Sequence, residues 1–121
     1  MISSFGKVLK NYRKKNNDTL KTLSEKLDIS LPYLSSMEVG RRMVTLEVIQ
    51  KIKELYNLTD EEYNELYMAM LDTNNKVDLE LSKMNEAQRE VSMVFARKIE
   101  NADPELVEKL RKVLMDSDDQ D

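Results

Sequence analysis

TLKTLSEKLDISLPYLSSMEVGRR, residues 19–42, reads as two short helices with a brief joint between them. Leu20, Leu23 and Leu27 fall three and four residues apart, the spacing of one buried helical stripe, and the stripe stops at Asp28. Ser30 is placed to cap a second helix, because its side-chain oxygen can accept from the unpaired N–H groups of the first turn. Pro32 falls within that turn, where a missing N–H costs nothing. Leu34 and Met37 form its apolar side, and Gly40 supplies the positive φ that ends it.

The same signals recur on both sides of this stretch. Upstream, about residues 3–16 form a helix with Phe5, Val8, Leu9 and Tyr12 on one face, closed by Asn16, Asn17 and Asp18. Downstream, Thr45 caps a fourth helix with Leu46, Ile49, Ile52 and Leu55 inward, and Thr59–Glu62 is a capping box opening a fifth that runs to about Leu71. DTNNKV, residues 72–77, is a polar break expected to be a hinge or linker. Beyond it, Leu81, Met84, Val91, Phe95 and Ile99 space a helix from about Leu79 to Ala102. Asp103 and Pro104 then stop it and start a last one with Leu106, Leu110, Val113 and Leu114. The closing DSDDQD, residues 116–121, reads as a solvated, disordered acidic tail. No alternating strand pattern competes, and Gly and Pro number two each, so the expected class is all-α: a five-helix bundle over 1–71, a linker over 72–77 and two amphipathic helices over 78–115.

Composition removes whole classes of chemistry. With no Cys and no His among 121 residues there is no thiolate or imidazole metal site, no Cys nucleophile and no Ser-His-Asp triad. Gly6 and Gly40 stand too far apart for a phosphate-cradling or dinucleotide-binding glycine loop, and no cofactor is expected. An enzyme built on paired carboxylates such as Glu61 and Glu65 needs a cleft that so small a bundle does not readily hold, so the chain is read as a non-enzyme. Absence of Cys suits a reducing compartment. The N-terminus lacks a signal-like apolar run and no stretch is long enough to span a membrane, so the expected location is the cytoplasm.

Charge is divided along the chain. Residues 1–56 hold 11 Lys and Arg against 6 Asp and Glu, a net of +5, whereas residues 57–121 hold 8 against 17, a net of −9. A basic segment of this length suits a polyanion, since each cation placed at a phosphate releases condensed counterions. Helical proteins also carry uneven charge with no polyanion in view.

Two short helices about such a joint have the proportions of a helix-turn-helix, whose second helix enters the major groove while the first crosses the backbone. Leu23-Ser24, Ile29-Ser30, Tyr33-Leu34-Ser35 and Met37-Glu38-Val39-Gly40-Arg41-Arg42 closely resemble the motif of the Cro and phage-repressor class of regulators, the XRE-like family. The resemblance extends over about residues 3–71 and implies a lambda-repressor-like bundle that binds double-stranded DNA. It implies that Ser30, Leu31, Pro32, Tyr33 and Ser36 face base edges, that Thr19, Lys21, Ser35, Arg41 and Arg42 lie near phosphates, and that Arg13 pairs with Glu38 as a structural ion pair. Residues 30–39 contain no Arg, Lys, Asn or Gln, so bidentate base pairing is absent from this helix, and shape, methyl contacts and water are expected to carry specificity. The less favoured alternative is that Leu31 and Tyr33 simply cover the core.

Readers of this kind usually act as dimers, because one short helix reads too few bases. Met84, Val91, Met93, Phe95, Ile99, Leu106 and Leu110 are the expected dimer interface; the same stripe could instead dock on the bundle of its own chain. Met68 and Met70, with Met84 and Met93, suit either an irregular core or an adaptable partner surface. The leading expectation is a homodimeric repressor on an inverted-repeat operator. The competing one is a protein-interaction module, a phage or mobile-element inhibitor or an antitoxin, that uses the acidic C-terminal helices on a protein partner.

Overall fold

Every helix of the N-terminal half begins at a hydroxyl that closes its first turn. The structure is a computed structural model and describes residues 1–118. In it α1 (Ser4–Lys15), α2 (Leu20–Leu27), α3 (Leu31–Glu38) and α4 (Leu46–Tyr56) start at Ser3, Thr19, Ser30 and Thr45, whose oxygens accept from the backbone N–H groups of Gly6, Thr22, Tyr33 and Val48. Thr59 and Glu62 form the reciprocal capping box of α5 (Asp60–Asn74). Asp28, Asn57 and Asn75 close α2, α4 and α5 in the left-handed conformation that short polar side chains tolerate.

The five helices form one unit, Met1–Val77, around a common core. Each helix sends at least one fully buried side chain into it: Phe5 and Leu9, Leu23, Leu34 and Met37, Ile49 and Ile52, and Leu66. In α4 the inward set differs from the expected one. Val48 is buried, while Leu46 and Leu55 are exposed. Steps of three residues turn only about 300°, so a run at 46, 49, 52 and 55 swings half-way round the helix and cannot all face one side.

α1 and α3 approach closely at Gly6. A Cβ there would stand 2.3 Å from the Glu38 carbonyl oxygen. Ser3 fixes the approach from both its groups, since its amide and its hydroxyl donate to that same oxygen at 2.9 and 2.7 Å.

The expected linker begins too early by three residues. α5 continues through Asp72, Thr73 and Asn74, and all three are anchored: Asp72 accepts from the Ser4 hydroxyl, and Thr73 Oγ1 accepts from Phe5 N at 2.9 Å. Asn74 accepts from Val44 N at 2.7 Å and donates to Val44 O at 2.9 Å. Their polarity serves contacts between elements rather than solvent.

A second unit starts at Asp78. The helix expected from Leu79 is replaced by a 3₁₀ turn, Leu81–Lys83, and α6 (Glu86–Lys98) opens only after Asn85, which forms a capping box with Gln88. A further 3₁₀ turn, Ile99–Asn101, leads to α7 (Pro104–Asp118), with Asp103 accepting from Leu106 N at 2.8 Å. Asp116 and Ser117, expected in a disordered tail, are helical, and the tail's last three residues, 119–121, lie outside the described residues. No described side chain of this unit is buried. Among the described residues no helix is long and apolar enough to cross a membrane.

Candidate nucleic-acid interface

The front of α3 is open and its back is core. Leu34 and Met37 are fully buried, whereas Ser30, Leu31 and Pro32 are exposed and Tyr33, Ser35 and Ser36 are half-buried. Tyr33 packs one side against the core. The Ser36 hydroxyl donates to the Pro32 carbonyl at 2.8 Å and keeps its lone pairs free to accept.

Termination of α3 builds the rest of the surface. Gly40 adopts φ +80°, which lets the Arg41 amide donate back to Ser36 O at 2.8 Å and the Gly40 amide to Met37 O at 3.1 Å. The chain therefore folds back over the end of α3. Arg42 comes to rest with its guanidinium 5.3 Å from the Tyr33 ring centroid, a cation–π distance. Ser30, Pro32, Tyr33, Ser36 and Arg42 then line one shallow depression, and Arg41 stands exposed beside it.

At α2 the hydroxyl of Thr19 is occupied by the Thr22 amide at 3.0 Å, while Lys21 is exposed in the first turn. The start of α2 is held against α4 by Asp18. Its carboxylate, only 4% exposed, accepts from Lys26 Nζ at 2.8 Å, Thr22 Oγ1 at 3.1 Å and Tyr56 OH at 2.8 Å. The Lys26 hydrogen bond outweighs the burial and holds the Asp18 carboxyl below the ordinary Asp range, while burial and the same carboxylate push the Tyr56 phenol up. On α1, burial and Glu65, which accepts from its hydroxyl at 2.7 Å, push Tyr12 up in the same way.

Arg13 and Glu38 lie together, Nη2 to Oε2 at 3.2 Å, with both side chains largely covered. They are remote in sequence but tie α1 to the C-terminal end of α3, and Arg13 Nη1 reaches on to the Asp18 carbonyl at 3.4 Å. Two features of this region are absent from a residue-by-residue reading of the motif. One is the stack of Arg42 on Tyr33, which depends on the turn at Gly40; the other is the Asp18 cluster, for which the only sequence signal is an acidic residue next to a cap.

In the second unit Val91, Phe95, Ile99, Leu106 and Leu110 line a groove of 330 Å³ between α6 and α7. Met84 lies in a neighbouring depression with Val91 and Ser92, whose hydroxyl reaches its sulfur at 3.4 Å. Met93 is exposed and lines neither. Val94, Ala102, Glu90 and Lys98 complete the groove, and the spacing of 90, 94 and 98 along one helix face is the signal that would have found them.

Residues 9–63 match the family model described as Helix-turn-helix. That segment is a helix-turn-helix domain of the XRE/Cro-like type. Its matched residues run from within α1 into α5 and contain the whole α2–α3 pair. The helix-turn-helix unit makes the protein a DNA-binding regulator of that type. Among curated proteins and among solved structures, nothing matches the chain.

Proposed function

We propose that this helix-turn-helix protein is a homodimeric repressor that reads an inverted-repeat operator with α3 in the major groove of double-stranded DNA and excludes polymerase by occupying the site. The observation that carries the reading is the Arg42 guanidinium held over the Tyr33 ring beside the exposed Ser30, Leu31 and Pro32. A cation at the end of a reading helix is positioned for the phosphate backbone, and the hydroxyls and apolar surface in front of it suit base edges and thymine methyl groups. Arg41, Lys21, Ser35 and the first turn of α2 extend the phosphate contact on either side. Arg13 and Glu38 take no part in contact and fix the pitch of α3 against α1.

Selection of bound fragments from a random duplex pool at about 0.15 M salt tests the reading, because exposed long-range charge effects are largely screened there. The expected result is an enriched inverted repeat whose centre-to-centre spacing is about one turn of DNA or a multiple. An unenriched pool would overturn it in favour of the protein-interaction reading, which has one observation of its own in the uncovered apolar groove of the second unit. Replacing Arg41 and Arg42 together with Ala should weaken binding to every duplex and reduce the salt slope by about one for each phosphate left without its cation. An unchanged slope would mean that neither arginine neutralises a phosphate. A reporter placed behind the enriched site should fall in expression when the chain is present.

A further inference from the structure

The second unit cannot be stable as it stands. With no buried side chain among its described residues it has no core to offset the entropy of ordering two helices, and isolated helices of this length are marginal in water. The apolar surface it leaves open is nevertheless organised. On α6, Val91, Val94 and Phe95 share the groove face, and on α7 Leu106, Leu110, Val113 and Leu114 follow one another at helical spacing. Ten large apolar side chains among the described residues of this unit are 39–68% exposed. Four of them, Val91, Val94, Phe95 and Leu106, line the groove between α6 and α7.

The charges on that face select the occupant. Glu90 and Lys98 both line the groove, one helical turn on either side of Val94. An isologous contact must be complementary to itself under a twofold rotation. Running α6 antiparallel to a second α6 with Val94 at the centre sets Glu90 of each copy opposite Lys98 of the other; a parallel arrangement would set Glu90 on Glu90 and Lys98 on Lys98. We infer that the groove between α6 and α7 is filled by the same groove of a second copy of this chain, with the two α6 helices antiparallel about Val94 and two Glu90–Lys98 pairs closing the ends of a four-helix contact. This rests on the homodimer part of the reading above and adds to it the surface and the register.

The test uses the full chain without DNA, in sedimentation equilibrium over micromolar to hundreds of micromolar concentrations. The wild-type chain should sediment as a dimer. Glu90→Lys alone and Lys98→Glu alone should each raise the dimer dissociation constant about tenfold or more at low salt, because each turns two symmetry-related attractions into repulsions. Glu90→Lys combined with Lys98→Glu should restore it to within about threefold of wild type, since the pairing is re-formed with its sign reversed. Retained thermal unfolding of the N-terminal unit in each variant shows that folding is intact. A wild-type chain that stays monomeric, single variants that dimerise as wild type does, or a double variant as weak as the singles would each overturn the proposal. A dimer that rescues by charge exchange yet enriches no DNA sequence would leave the interface standing and defeat the operator reading; a chain that is monomeric without DNA yet enriches an inverted repeat would do the reverse.

Discussion

The two units of this chain are both built from capped amphipathic helices, and they end in opposite states. The first hides fifteen apolar side chains from solvent and the second, among its described residues, hides none. Cap signals and apolar stripes are of similar quality in both: Asn85 and Gln88 form as complete a capping box as Thr59 and Glu62. The difference lies in how many faces converge. Five short helices close on each other from several directions, whereas within the second unit, among its described residues, two helices joined by a 3₁₀ turn pack only on each other and leave a groove. An apolar stripe states that a face is to be covered and is silent on what covers it.

The sharpest way to break the comparison is to truncate one phenylalanine in each unit. Phe5→Ala removes a fully buried ring and should destabilise the N-terminal unit by about 3–5 kcal/mol at any protein concentration, read by thermal or urea unfolding. Phe95→Ala, at a position 40% exposed, should leave that transition in place and act only through association, so its effect should grow on dilution. Equal, concentration-independent losses from both would mean that the second unit has a core of its own.

Gly6→Ala comes next in size. The added methyl meets backbone at the Glu38 carbonyl, which cannot swing aside as a side chain could, so α1 and α3 must separate at a cost of about 1–3 kcal/mol. A variant as stable as wild type would show that the close approach is not a constraint.

The smallest effect sharpens the contrast by pH. Asp18 has its folded-state pKa depressed, so its contribution is complete above the ordinary Asp value of about 3.9 and fades as the pH falls through the lower folded-state value. Asp18→Asn should therefore cost about 1–2 kcal/mol near neutrality, the difference between a charged and a neutral acceptor, and progressively less in acid. A loss independent of pH would assign Asp18 a purely steric role.

Much of the N-terminal unit is legible in its sequence because its signals are local. Ser30 followed by Pro32, Thr59 followed by Glu62 and the glycine after Val39 each report on their own few residues, and the helices begin and end within a residue or two of those marks. Legibility fails where polar residues serve tertiary contacts. Thr73 and Asn74 look like linker because threonine and asparagine usually face water, yet here they bind backbone groups from α1 and from the loop before α4. Arg42 is visible as a cation, but its place over Tyr33 follows from a backbone turn several bonds away. In the second unit the elements are readable, apart from the late start of α6, and the groove's own charges are not, because Glu90 and Lys98 acquire meaning only opposite another surface.

Asn74 holds the amide and the carbonyl of Val44 with one side chain, as a neighbouring strand would. Val44 belongs to no helix, yet its amide is buried and bonded at 2.7 Å, so in deuterated water it should exchange on the timescale of the core rather than of a loop. Its proton can leave only when the last turn of α5 lifts away. That single resonance thus acts as a clock for how often the end of the bundle next to Val77 opens, at the point where the chain passes from its first unit to its second.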